Sequence, residues 1–210
     1  MILLGLSRLL APLSRLWVSL IVAVAREPVK KHVASKSEAL LKAEARERMQ
    51  YGPLGETIGE ILQHEGTERG YLILSAVYWR IEQKVDARGE DSLTSTERTF
   101  LAVRRFDAEI NNEGFDQYFF SSTGDDADLA LTALRDIAAS DAAVLLERAM
   151  AVFRRGRPPR DWRKRQMEMQ RIDRPHPVWE QADREFYSLE LLANRLLAFT
   201  KARRAEFVFS

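Results

Sequence analysis

Apolar residues recur at three- and four-residue spacing along most of the 210-residue chain, and that period predicts helices. Ser35 to Gln50, "SKSEALLKAEARERMQ", is rich in helix formers and opens with Ser35 or Ser37 as an N-cap. "YGPLG" breaks it, Leu54, Ile58, Ile61 and Leu62 resume the spacing, and "HEGTERG" breaks it again. Tyr71 to Val85 predicts a strongly apolar helix that "DARGED" ends. "TSTE", Thr94 to Glu97, has the form of a capping box and opens a helix with Phe100, Leu101, Val103, Phe106 and Ile110 on its apolar face. Asp125 is placed to cap a helix carrying Leu129, Leu131, Leu134 and Ile137. Asp141 is placed to cap another, with Val144, Leu145, Ala149, Val152 and Phe153. "RRGRPPR" predicts a loop, because paired prolines cannot continue a helix. One last long helix is expected from about Val178 to Arg204, with Phe186, Leu189, Leu192, Leu196 and Phe199 inward. No stretch alternates as a strand does, and no period of about 20–50 residues repeats as in a solenoid. The expected fold is all-α: a compact multi-helix domain over 71–207, preceded by a helical extension over 27–70.

The first 26 residues form a separate segment. "MILLGLSRLLAPLSRLWVSLIVAVA" fits three readings. It can be a secretory signal cleaved after Ala23-Val24-Ala25, a membrane anchor, or an amphipathic helix lying on the domain or on a bilayer. Arg8, Pro12 and Arg15 interrupt the ~20 apolar residues that an anchor needs. Arg26, Lys30 and Lys31 follow the apolar run, which favours a cytoplasmic body with membrane contact through 1–25 over secretion.

Composition narrows the classes. With 46% apolar and 30% charged residues the chain is ordinary for a soluble globular protein. It has no cysteine, which removes disulfides, thiolate metal sites and cysteine catalysis. The net charge of +1 hides strong blocks. Asp107 to Met150 holds ten acids against Arg135 and Arg148, a net of −8. Residues 151–172 hold eight bases against Asp161 and Glu168, a net of +6. Such blocks serve either recognition or mutual neutralisation between neighbouring elements, and the sequence slightly favours the second.

The segment "NNEGFDQYFF" reads as a helix interrupted and restarted. Asn111 and Asn112 carry amides that bond nearby backbone. Gly114 can adopt a positive φ without steric cost. Phe115 and Phe119, four apart, share a face that excludes Asp116 and Gln117. The expected arrangement is a buried corner in which the amides satisfy the broken backbone and the phenylalanines plug the core.

These residues carry a resemblance. "FDAEINNEGFDQYFFSSTGDDADLALTALRDIAA" resembles the C-terminal domain family of bacterial DNA-mimic proteins, a domain of unknown function in most members. The likeness rests on Glu109, Asn111, Asn112, Gly114, Phe115, Gln117, Phe119, Ser121, Gly124, Ala133 and Leu134. "ADREFYSLELLANRLLAFTKA" is similar to the family's closing segment through Asp183, Phe186 and Tyr187. Together they span about Tyr71 to Phe207. Glu113 stands where the family usually has glycine. The resemblance implies a compact helical domain without catalytic activity. It also implies, by analogy with one member, imitation of duplex DNA to occupy a DNA-binding regulator.

Partner contact would then fall on Asp107, Glu113, Asp116, Asp125, Asp126 and Asp128. Asp125, Asp126 and Asp128 also suit a helix start on dipole grounds alone, and these acids form no clean ladder at phosphate spacing. "RRGRPPRDWRKR" suggests an alternative, direct nucleic-acid binding through Arg160, Trp162, Arg163, Lys164 and Arg165. A membrane-associated adaptor and a homodimer are compatible with either. An enzyme fits least: His32, His64 and His176 are scattered, and no HExxH, GxSxG or phosphate-binding glycine loop is present. Glu109, Glu113 and Asp116 are close in sequence, but nothing brings them to a pocket. No catalytic, cofactor-binding or metal residue is expected.

Overall fold

The computed structural model describes residues 54–189 and 192–209, and the expectations for 1–26 and for the helix over 35–50 lie outside them. Eight α-helices follow in order: α1 (Ile58–Gln63), α2 (Gly70–Arg88), α3 (Ser95–Phe120), α4 (Ala127–Asp136), α5 (Ser140–Met150), α6 (Trp162–Met169), α7 (Pro177–Phe186) and α8 (Leu192–Ala202). Among the described residues there is no strand, so the all-α expectation holds. No helix among them is long and apolar enough to cross a membrane.

α3 is the axis of the domain and touches α2, α4, α6, α7 and α8. Its capping box forms as expected. The Thr94 hydroxyl accepts from Glu97 N, and Glu97 Oε2 accepts from Thr94 N at 2.9 Å. Phe100, Val103, Phe106, Ile110, Phe115 and Phe119 are all buried, each removing about 1.5–3 kcal/mol worth of apolar surface from water. The rings pack edge to face, with Phe106 against Tyr118 at 5.2 Å and Phe186 at 5.7 Å, and Phe119 against Phe153 at 5.0 Å. Trp179 joins Phe119 and Phe153 and donates its indole N–H to Ala149 O at 3.0 Å.

Gly114 breaks α3 with φ 76° and ψ −173°. The interruption is as expected, but the groups that satisfy it are not the amides. Asp183 of α7 accepts the Phe115 N–H at 2.8 Å, and the Tyr187 hydroxyl donates to Ile110 O at 2.9 Å. Asn111 faces solvent and bonds Asp107 instead, and Asn112 is also exposed. A carboxylate held by another helix reaches the orphan N–H from outside the turn, which a short amide on the same helix face cannot do. A Cβ on Gly114 would lie 2.6–2.8 Å from the Asp183 carboxylate. Gly114→Ala combines that overlap with a backbone region nearly confined to glycine, which costs about 1–3 kcal/mol alone. A urea midpoint lowered accordingly, with the slope unchanged, is the expected result. An unchanged midpoint would show that the corner relaxes freely.

Four further expectations are corrected. The last helix is two, because α7 ends at Phe186 and α8 begins at Leu192. The basic loop gives way to helix at Trp162, capped by Asp161, which accepts from Lys164 N at 2.8 Å. Neither Asp125 nor Asp141 is an N-cap: α4 and α5 follow Asp126 and Ala139, and Asp141 lies inside the first turn, where it accepts from Ala142 N at 2.9 Å. Each instead holds an arginine, Arg165 and Arg195 respectively. Leu129 and Val144 are exposed, out of phase with the buried faces of their helices.

Candidate functional site

The acidic block is largely paired with arginines, two of them (Arg157 and Arg165) from the basic segment and the others from elsewhere in the chain. Arg157 pairs with Asp128, and Arg174 grips Asp116 with Nε at 3.0 Å and Nη2 at 2.7 Å. Asp141 takes Arg195 at 2.9 Å, Glu147 takes Arg135 at 3.2 Å, and Asp107 takes Arg104 at 3.6 Å. Exposed pairs of this kind add little stability each, but they remove isolated negative charge from the surface. Glu113 is exposed at the α3 corner. Asp126 is half-buried, and its side chain makes no ion pair or hydrogen bond among the described residues.

Arg165 is wholly buried. Its guanidinium donates to the carbonyls of Phe119 (2.7 Å), Ser121 (2.9 Å), Pro159 (2.7 Å) and Arg160 (3.2 Å). It also donates to Asp125 Oδ1 at 2.6 Å. The turn at 121–125 and the loop at 159–160 are thus fastened by one side chain. Gly124 permits this, since a Cβ there would lie 3.0 Å from Arg165 Nε and 2.8 Å from Tyr118 O. The remaining basic candidates, Arg160, Arg163 and Lys164, are exposed.

Asp107 shows what burial does to one candidate. Burial raises its carboxyl above the ordinary range, against the opposing pull of Arg104 and the Asn111 amide. A raised folded value means the native state holds its proton more tightly than the unfolded chain. The stabilisation from this group is therefore present below the ordinary carboxylate range, near 3.8, and is lost as pH rises through the folded value. Asp107→Asn, which keeps an oxygen for the Asn111 amide, is expected to melt higher than wild type at pH 7. The gap should close near pH 3.5 (about the unfolded carboxylate range). A gap independent of pH would remove burial as the cause.

One surface cluster combines residues from both blocks. Phe120 ends α3 out of phase with Phe115 and Phe119 and is 42% exposed, and Trp162 opens α6 at 46% exposed. Trp162 Nε1 donates to Phe120 O at 3.1 Å, and Gln166 Nε2 donates to the same oxygen at 2.6 Å. The Arg174 guanidinium lies over the Phe120 ring at 5.5 Å while holding Asp116. Two aromatics and an arginine are thereby fixed at the surface. Trp162 and Asp116 stand out in the sequence by residue type, whereas Phe120 and Arg174 do not. The available signal was the third aromatic of "YFF", which cannot share the inward face with the first two.

Among the described residues, no group of three or more His, Asp or Glu side chains is placed to hold a metal ion. Asp183 also titrates above its ordinary value, raised by burial and by the nearby Asp116 and Glu180 against the Phe115 N–H. Its place in the fold is the corner, where it accepts the Phe115 N–H.

No curated protein and no solved structure matches the chain. A family model described as DMP19-like protein matches residues 91–204, which run from the approach to the Thr94 capping box, through the Gly114 corner and Arg165, to the end of α8. That match covers more than half of the chain and includes both halves of the corner, so the chain belongs to the DMP19-like protein family, named for DNA mimic protein 19.

Proposed function

We propose that this chain is a non-enzymatic protein-interaction domain whose partner is a DNA-binding protein. The family supplies the partner class. The observation that carries the interaction is the fixed cluster of Phe120, Trp162 and Arg174, with Asp116 as the acid at its edge. Aromatic and arginine side chains that are exposed yet held in place lose little entropy on binding and dominate interface energetics. Imitation of a phosphate ladder by Asp107 to Asp128 is not the favoured mechanism. Asp107 and Asp125 turn toward arginines of the fold, and Asp128 is matched by Arg157. Asp116 is held by Arg174, so its charge reaches a partner only together with that guanidinium.

A second reading rests on Arg160, Arg163 and Lys164, which are exposed beside Trp162 and make no ion pair among the described residues. That arrangement suits contact with a nucleic-acid backbone and one stacked base. Capture from lysate with and without nuclease separates the two. The proposal expects a protein partner that survives digestion, is lost with Phe120→Ser or Trp162→Ala, and persists with R160E/R163E/K164E. Recovery of nucleic acid alone, abolished by the triple charge reversal, would establish the second reading and sink the first.

A further inference from the structure

A cavity of about 470 Å³ opens between α3, the turn after it and the start of α4, within the usual range of about 300–1,000 Å³ for ligand pockets. Leu101, Phe106 and Leu129 give it an apolar wall. Most of its charges are already spent. Arg105 is held by Glu90 at 2.8 Å and by Glu82 at 3.4 Å, and Arg98 donates to the carbonyls of Leu93 and Asp91. Two lining charges are not. The Asp126 carboxylate and the Arg160 guanidinium pair neither with each other nor with any other described residue. They come from different segments, and Arg165 fastens both of these by holding Ser121 O and Asp125 on one side and Arg160 O on the other.

Tyr118 lines the same cavity. Its hydroxyl is fully buried and has no hydrogen-bond partner in this structure, whereas buried polar groups are normally satisfied. Burial and the neighbouring Asp126 charge keep the phenol neutral, so it remains a donor.

We propose that this cavity binds a free α-amino acid with an apolar side chain. The ammonium would meet Asp126, the carboxylate would meet Arg160, and the side chain would lie against Leu101, Phe106 and Leu129. A zwitterion answers two unpaired charges of opposite sign in one cavity, and an apolar side chain answers the wall that shares it. The Tyr118 hydroxyl supplies the remaining donor to the carboxylate. An arginine also suits a carboxylate better than a lysine does, because it presents two parallel N–H groups.

Calorimetric titration of the full chain with L-phenylalanine and with L-leucine tests this. Saturable binding is expected for at least one of them. N-acetyl-L-phenylalanine, which lacks the ammonium, and L-phenylalaninol, which lacks the carboxylate, should each bind at least ~10-fold more weakly, as loss of one charge-assisted contact implies. Asp126→Asn and Arg160→Gln, both of surface-reaching side chains, should each weaken binding by a similar factor. Tyr118→Phe should weaken binding several-fold without lowering the melting temperature of the unligated chain, because the hydroxyl it removes has no partner to lose. Absence of saturation by either amino acid at ~1 mM, roughly the weak end of specific binding, would overturn the proposal. So would equal binding of the two analogues, which would leave only an apolar cleft.

Discussion

Glu97→Ala is expected to cost about 3–5 kcal/mol, the usual penalty for removing one partner of a buried ion pair. The Glu97 side chain is fully buried and serves three groups. Oε2 accepts from Lys84 Nζ at 2.7 Å and from Thr94 N at 2.9 Å, while Oε1 accepts from Val208 N at 2.8 Å. Alanine leaves the Lys84 ammonium buried with only Val208 O, at 2.6 Å, and removes one of the two bonds of the α3 capping box, that to Thr94 N. Domains are stable by about 5–15 kcal/mol, so the loss takes a large share of the total. A chemical-denaturation midpoint measures it. Adding Lys84→Met to Glu97→Ala should recover part of the loss, because it removes the unpaired charge and keeps the apolar volume. A double variant worse than the single one would show that the ammonium was never the costly group.

Arg165→Met is the second large effect, about 3–5 kcal/mol, since each buried carbonyl left unpaired costs about 1–3 kcal/mol and some will reach water. The ion pair to Asp125 is a minor part, since Asp125 is 41% exposed and water screens it. The cost lies in the four carbonyls that the guanidinium serves from a dry position. Arg165→Lys should recover little, because an ammonium on a flexible stem cannot present that fork of donors. Thermal melting followed by tryptophan fluorescence reads this directly, as Trp162 sits one helical turn before Arg165. Full rescue by lysine would mean that charge alone is needed. A charge-reversal test of nucleic-acid contact must therefore spare Arg165, or loss of folding will be mistaken for loss of binding.

The helices of this domain were legible where a local signal specified them. Thr94 and Glu97 announce the start of α3, and Gly114 announces its break. The partners of those residues were not legible, because they come from distant chain: Asp183 for the corner and Val208 for Glu97. By residue type Arg165 belongs with the exposed bases of a nucleic-acid contact. Met169, four residues on, shares its buried face, so the period marked Arg165 as inward, but its charge argued otherwise. The split of the last helix at Tyr187 had no glycine or proline to mark it. Of the candidate site, Trp162 and Asp116 were found by residue type. Phe120 and Arg174 needed the fold, since their association depends on how α3 and the segment before α7 are brought together.

The grip of Lys84 on Val208 spans 124 residues, and the Glu97 contact with the same residue spans 111. The Phe115 and Tyr187 bonds at the corner span 68 and 77. All-helical proteins usually fold fast because their contacts are local. Here the buried charge and the broken helix both wait on segments that arrive late, and the loop-closure entropy of those meetings must be met first. The domain should therefore fold more slowly than a helical bundle of its size. Removing these closures, as Glu97→Ala does, should therefore mainly slow folding, because they form on the way to the rate-limiting step.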